Sequence, residues 1–370
     1  MSMSSTRTRV LLVFGGASSE HQISCLTAGG VARAIDPQRF EVIGVGITSD
    51  GDWVRVSAEE LVGYEVCDGV LPSVPSDRPR ALLVPGAPTA VATVDGECLT
   101  DLAAFDVAFA LLHGPFGEDG TIQGLFEMAG VRYVGAGVAS SAIGMDKDLM
   151  KRSMASAGLP VGPWETITAL DWATDRDGCL ARAAALSFPV FVKPARGGSS
   201  LGIVKVDDPS GLSTAIDEAR GFDPKVVIEQ GFTGFREIEV AVLGGLDGVP
   251  RVSLPGEIRM HTADAFYDFD AKYLPTDQVS LDVPANLDDD TIAAVRELAG
   301  RTFSVMGVEG LARVDLFATD EGLFVNELNT MPGFTRTSMF PMMWAASGLE
   351  YPELIATLVE LALARPLGLR

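Results

Sequence analysis

The chain is poor in the residues that build covalent frames and soft-metal centres. Its 370 residues include four cysteines and three histidines. Cys25, Cys67, Cys98 and Cys179 lie far apart and form no C-x-x-C pair, which argues against a disulfide scaffold or a cysteine zinc site. No apolar run approaches the ~20 residues of a membrane span. Positive charge is scarce as well: 28 Lys and Arg stand against 50 Asp and Glu, a net charge of −22. That balance argues against non-specific nucleic-acid binding, which rests on basic surface. Any bound anion must be met by cations gathered locally. Arg7 and Arg9 precede an apolar run, but Val10 to Phe14 is shorter than the roughly seven residues of a signal-peptide core. A cytoplasmic protein with no membrane or nucleic-acid partner is expected. Repeats and low-complexity tracts are missing too.

What remains is an ordinary globular composition, 47% hydrophobic and 21% charged, in a chain long enough for two or three domains. From residue 9 to about 140, short apolar runs such as "RVLLVFGG", "FEVIGVGIT", "ALLVPG", "FDVAFALLHG" and "VRYVGAG" alternate with amphipathic segments. This alternation predicts a parallel α/β layer over 1–140, with ligands at the carboxyl ends of its strands. The turns there read "GGASSE" and "HGPFGEDG". Over 141–230 the pattern predicts a small α+β unit with an antiparallel sheet. Over 231–370 strands dominate first, a helix follows near 288–306, and helices close the chain. The polar and aromatic stretch 260–281 has weak periodicity, as a lid or binding loop does.

Two constellations carry chemistry. In "FPVFVKPARGGSSLGIVKV" (188–206), Lys193 precedes the Gly/Ser turn, and a β-branched segment follows it. The familiar nucleotide loop has its lysine after the glycines and at a helix start. A strand–loop–strand arrangement instead covers phosphates with backbone N–H groups while Lys193 neutralises charge. A plain flexible hairpin is the alternative. In "ARVDLFATDEGLFVNELNTMPG" (312–333), Glu327 and Asn329 share one strand face, and a hairpin can bring Asp315 beside them. These hard oxygen donors suit Mg2+ held jointly with phosphates. A solvated strand face is the alternative, weakened by the core-like neighbours Leu316, Phe324, Val325 and Leu328. Arg313 shares the face of Asp315, either to hold an oxyanion or to pair with one of the acids.

Read in order, "GGASSEHQIS", "LHGPFGEDGTIQG", "GMDK", "FVKPARGGSSLG", "VIEQ", "YDFDAKY", "RVDLF" and "NELNTMPGFTRTS" span nearly the whole chain. In these motifs the sequence resembles the ATP-grasp enzymes, and among them the D-alanine–D-alanine ligases of bacterial peptidoglycan synthesis. The resemblance implies an ATP-grasp fold of three α/β and α+β domains, 1–140, 141–230 and 231–370, with nucleotide between the last two. It implies ATP-driven ligation of two D-alanines through a D-alanyl phosphate, two Mg2+ ions (or Mn2+), and a homodimer.

Residue by residue, the resemblance implies that Lys147 and Lys193 contact the ATP phosphates, that Ser199 and Ser200 cover them, and that Lys272 lies over the site and binds both nucleotide and substrate. Glu229, Gln230, Phe232, Glu237, Asn326 and Glu327 complete the nucleotide contacts. Asp315, Glu327 and Asn329 match the metal ligands. Glu20 matches the group that takes the first D-alanine's ammonium, with His113 near that substrate. Arg313 and the Gly333 N–H match the oxyanion donors, and Ser338 with Met339 matches the seat of the second carboxylate. The 260–281 stretch resembles the closing loop, so Tyr273, Ser199 and Glu20 are expected to link three domains; Lys272 stands beside this tyrosine. His21 and His261 have no expected role.

Ligases of this kind that form D-alanyl-D-lactate lack the tyrosine, so Tyr273 favours the dipeptide over that alternative product. Another ATP-grasp carboxylate–amine ligase and a non-catalytic nucleotide-binding regulator are the other readings. A degenerate regulator is expected to lose Arg313, Glu327 or Asn329, and all three are present. The departures from the family pattern are "HGPFGEDG" and extra length over 50–105, which carries no interpretable motif.

Overall fold

In the computed structural model, the described residues are 7–86, 88–198, 201–260 and 279–368. Three sheets follow one another along the chain. The first has seven strands: β1 (Thr8–Gly15), β2 (Phe40–Ile47), β3 (Trp53–Val56), β4 (Arg80–Val84), β5 (Ala90–Asp95), β6 (Cys98–Ala104) and β7 (Val107–Ala110). Their order is β6-β5-β4-β3-β2-β1-β7. Only β2, β1 and β7 run parallel; every other pair is antiparallel. The expected parallel layer is thus corrected to a mixed sheet. A parallel crossover needs a dozen or more residues. The links 48–52, 85–89 and 96–97 are too short, so β2–β3, β4–β5 and β5–β6 fold back antiparallel. The longer link 57–79, which carries the helix Ala58–Val62, also returns β4 antiparallel to β3 and completes the wing over 50–105.

One loop of this wing returns to the centre of the molecule. The Val74 N–H donates to His21 Nε2 at 3.2 Å, and His21 Nδ1 lies 2.8 Å from the Gly16 carbonyl. His21, expected to be idle, thus ties the first glycine turn to the wing. A second correction concerns "VRYVGAG", which forms no strand and pairs only through a Tyr133–Ala108 bridge. The Arg365 guanidinium instead takes the Tyr133 and Gly135 carbonyls, at 3.0 and 2.8 Å.

The second sheet is wholly antiparallel, as expected: β8 (Trp164–Ile167), β9 (Val190–Pro194), β10 (Val204–Val206) and β11 (Val226–Gln230), ordered β10-β9-β11-β8. The third contains β12 (Arg236–Leu243), β13 (Arg251–Val252), β14 (Gly256–Met260), β15 (Val279–Asp282), β16 (Leu311–Thr319) and β17 (Gly322–Asn329). The run "RVSLPGEIRM" splits into β13 and β14 at Pro255, which has no N–H for a ladder. The helix Asp289–Val305 packs its Val295, Leu298, Ala299 and Phe303 against β12 and β16.

The chain end does not stay with the third sheet. Phe334, Phe340 and the buried face of helix Tyr351–Ala364 share one core with Val10, Leu12, Phe14 and Phe109 of the first sheet. Phe334 packs 5.7 Å from Phe109 and 5.6 Å from Tyr351, centroid to centroid. The first and third sheets are therefore clamped together, and the carboxyl ends of β1 and β7 come to face β16 and β17. No helix among the described residues is long and apolar enough to cross a membrane.

Candidate active site

A cavity of about 850 Å³ is lined by residues following β1 and β7, by β9 and β11, and by β12, β14, β16 and β17. Of the residues singled out in the sequence, Glu20, His113, Lys147, Lys193, Glu229, Gln230, Phe232, Glu237, Arg313, Asn326, Glu327, Asn329, Gly333, Ser338 and Met339 line it. Asp315 is buried just behind the wall. Ser199, Ser200, Lys272 and Tyr273, with most of the 260–281 segment and His261, lie outside the described residues.

On one wall, β9 carries Lys193 opposite Val227 of β11, and its ammonium donates to Glu229 Oε2 at 2.6 Å. The other Glu229 oxygen lies 3.2 Å from the Lys151 ammonium. Burial works to raise the Glu229 carboxyl, but Lys151 and Lys193 outweigh it and hold it down at about 2. Burial likewise opposes charge on Lys193, and Glu229 raises its pKa nonetheless. Lys147 opens the helix Lys147–Ser156, and its ammonium donates to the Gly197 carbonyl at 2.8 Å. The glycine turn and Lys147 are thus drawn together from separate segments. The turn is also anchored at its base, where Arg196 makes a two-pronged pair with Asp223.

The facing wall is the β16–β17 hairpin. Asp315 stands opposite Glu327, and Arg313 opposite Asn329. The register slips between Asp315 and Leu316, leaving Asn326 as the extra residue of a bulge. The slip lets Asn326, Glu327 and Asn329 all reach the cavity, where strict alternation allows only alternate residues on one face. Arg313 grips Asp315 through two bonds of 2.7 Å and lies 3.2 Å from Glu239. Burial disfavours the guanidinium's charge, yet these acids raise its pKa well above the ordinary value. Asn329 Nδ2 donates to Asp315 at 2.9 Å and lies 3.5 Å from Glu327. The open alternatives for Arg313 and the acids thus meet in one cluster, since Arg313 pairs with Asp315 and also lines the cavity.

The third side comes from the first sheet. The backbone at Gly114 has a φ of +70, and a Cβ there would sit 2.9 Å from Glu20 Oε2. A Cβ on Gly198 would sit 3.3 Å from the same oxygen, so the glycine turn closes on Glu20. His113 is 3% exposed; its Nδ1 lies 3.1 Å from the Met331 carbonyl, and its buried Nε2 has no hydrogen-bond partner. With Nδ1 as the donor to that carbonyl, Nε2 is left as an acceptor. Burial lowers the imidazole's pKa, against the pull of Glu20.

Sequence reasoning passed over Glu118 although it lies in the quoted "HGPFGEDG" turn. Its carboxylate accepts from the Gly114 N–H at 2.8 Å and the Met331 N–H at 3.3 Å, joining first sheet to third. Burial, and then Glu20, push its carboxyl up to about 8 against those two bonds. Lys151 was also missed. Its spacing of four from Lys147 puts both on one helix face, a signal the sequence did contain. Phe232 was expected at the nucleotide, but the aromatic cluster around it escaped notice because its members come from three segments, the link 231–235, β16 and β17. Phe232 lies 5.5 Å from Phe317 and 4.8 Å from Phe324, and Phe235 lies 4.7 Å from Phe317.

At the other end, Ser338 Oγ lies 2.7 Å from Thr335 Oγ1 and accepts from the Thr335 N–H at 3.1 Å. Met339 fills the space beside Gly256, where a Cβ would come within 2.4 Å of its methyl. Among the described residues no group of three or more His, Cys, Asp or Glu side chains is placed for a metal ion. The donor set at this hairpin is two carboxylates and one amide.

Comparison with known proteins matches two sequence families, described as D-ala D-ala ligase N-terminus over residues 9–136 and D-ala D-ala ligase C-terminus over residues 153–360. A D-alanine--D-alanine ligase of Kineococcus radiotolerans is 52% identical, covering 99% of this chain and 100% of that protein. One from Mycolicibacterium gilvum is 50% identical over 98% of this chain and 99% of its own length. Among solved structures, the VanG D-Ala:D-Ser ligase from Enterococcus faecalis superimposes with a TM-score of 0.82 at 31% identity, covering 96% of this chain and all of that one. The D-alanine-D-alanine ligase from Coxiella burnetii gives 0.81 at 30% identity, over 96% of this chain and 94% of its own. Matched in both halves, in sequence order and with the three-sheet architecture in common, the chain belongs to the D-alanine–D-alanine ligase family and has its ATP-grasp fold.

Proposed function

We propose that the protein uses ATP to join two D-alanine molecules into D-alanyl-D-alanine by way of a D-alanyl phosphate. One observation carries this reading: two lysines from one wall, a guanidinium with oxygen donors from the facing wall, and a buried carboxylate at the end all open onto a single cavity. A free carboxylate is a poor electrophile; phosphoryl transfer makes it reactive, and the protein's share of the work is positioning and charge neutralisation. Lys147 and Lys193 face the phosphates, while Phe232, Glu237, Gln230 and Asn326 surround the nucleoside. Glu20 accepts the first substrate's ammonium. His113, with Nε2 free to accept, stands beside it. Arg313 and the Gly333 N–H receive the oxyanion that forms when the second amine attacks, and Ser338 with Met339 seats the second carboxylate.

The Asp315, Glu327 and Asn329 side chains fit Mg2+, or Mn2+ in its place, as hard oxygen donors already drawn into one hydrogen-bonded cluster. Two such ions would supply charge neutralisation at the β- and γ-phosphates. The Asn329 amide now turns its N–H toward both acids; the opposite flip offers them a third oxygen as co-ligand. The approach of Gly198 to Glu20 supports the role given to the neighbouring Ser199, and the closing segment with Lys272 and Tyr273 completes that reading by excluding water. The division at 140 and 230 is read with the same function: amino acid at the first unit, nucleotide between the other two. Family membership supports the expected homodimer, measurable by light scattering, and the use of ATP supports a cytoplasmic site of action.

The decisive assay follows phosphate release from ATP with D-alanine, with L-alanine, and with D-alanine plus D-lactate, identifying each product by mass. The expected result is release with D-alanine and a D-alanyl-D-alanine product. Release with L-alanine alone overturns the assignment.

A further inference from the structure

Lys151 is a buried cation that none of these roles uses. It follows Lys147 by one turn on the helix Lys147–Ser156, is 3% exposed, and does not line the cavity. Its one ion pair among the described residues is with Glu229, at 3.2 Å. Lys193 takes the other oxygen of the same carboxylate at 2.6 Å. Withdrawing an ammonium from water costs several kcal/mol unless it is paired, and an apolar side chain of similar length fills such a place at lower cost. A role in charge balance accounts for the lysine where space filling does not.

Glu229 and Lys193 both face the cavity. By themselves they make a neutral pair, which offers a polyphosphate little attraction. With Lys151 the three side chains carry two positive charges and one negative, leaving one unit of positive charge. Lys151 is out of reach of a ligand, so that unit is expressed at Lys193. In a chain of net charge −22, this is how cations can be concentrated at one point.

We infer that Lys151 is a positioning residue for the nucleotide, neutralising Glu229 from behind so that Lys193 keeps its charge for phosphate. The inference rests on the proposed ATP site. Lys151 itself touches no substrate, and the charge it matches is present at neutral pH, because Glu229 stays ionised down to about 2.

The test is calorimetric titration of ADP, with magnesium, into the unmodified protein and the variants Lys151→Met, Lys151→Arg, Glu229→Gln and Lys151→Met/Glu229→Gln. Lys151→Met is expected to weaken ADP roughly tenfold, about 1.4 kcal/mol. Lys151→Arg recovers most of this, and so does the double variant, because the unmatched carboxylate is gone. In turnover, the ATP KM rises while kcat and the D-alanine KM stay within about twofold. A structural ion pair would show otherwise: lower melting temperature, no KM split and no rescue by Glu229→Gln, and that pattern overturns the inference.

Where Lys151→Met alone does not fold, the double variant against the unmodified protein carries the test. Both leave one unit of positive charge at Lys193, so ADP affinity should agree within about threefold while Glu229→Gln alone binds ADP more tightly; a tenfold loss in the double variant, or no gain in Glu229→Gln, overturns the inference. Equal ADP binding by every variant sinks this inference alone; no binding to the unmodified protein sinks the nucleotide site with it.

Discussion

Glu229 shows how much one side chain depends on its neighbours. Its carboxyl is depressed to about 2 from the ordinary 4.5 by the two lysines that flank it. A depressed carboxyl contributes stability that is whole above the unfolded value and is lost as pH falls toward the folded one. The expected outcome is that Glu229→Gln flattens the fall of unfolding free energy between pH 4.5 and about 2, measured by urea unfolding at a series of pH values. An unchanged slope refutes the pairing. Sequence placed Glu229 in the nucleotide contacts but not between two lysines, because Lys151, Lys193 and Glu229 come from three elements and no local spacing joins them. Glu118 was hidden for a similar reason. Its bond to the Met331 N–H spans the first and third sheets.

At the scale of elements, the helix Lys147–Ser156 decides where Lys147 points. Asp146 caps it by accepting from the Leu149 N–H at 3.1 Å, and Lys225 donates to the same carboxylate at 2.6 Å. Asp146 also bridges to Arg196 at the base of the glycine turn. Asp146→Ala is expected to cost about 1 kcal/mol or more from the lost cap and to raise the ATP KM while leaving the D-alanine KM in place. Asp146→Asn keeps the cap and should recover most of the stability; thermal unfolding and initial rates check both. The elements themselves were largely legible, since hydrophobic period and turn residues marked the helix Asp289–Val305 and the β16–β17 hairpin closely. The bulge at Asn326 was not, because it depends on pairing with β16 rather than on the composition of β17.

For the whole molecule, the shared core between the first sheet and the last helices sets the distance from Glu20 and His113 to Arg313. Phe334 sits at that junction, fully buried between Phe109 and Phe340, and its carbonyl accepts the Tyr351 hydroxyl at 2.7 Å. Phe334→Ala is expected to destabilise the protein by about 3–5 kcal/mol. Hydrogen exchange should then rise both in β7 and in the helix Tyr351–Ala364, which are remote in sequence. Faster exchange confined to the helix contradicts a common core.

The sequence by itself determined the chemistry on offer: ordered motifs, a lysine before a Gly/Ser turn, and donors alternating on one strand face. It also determined most helices and strands, because side-chain periodicity and backbone restriction act locally. Only the tertiary structure decided that the wing over 50–105 runs antiparallel, that His21 fastens it to the first turn, and that the chain end returns to the first sheet. It alone set Lys151 behind Glu229 and Glu118 across from Met331. Link length set the hairpins of the wing, and apolar burial returned the chain end. The pairings of His21, Lys151 and Glu118 join buried groups distant in sequence, where a charge or an N–H left without a partner is costly.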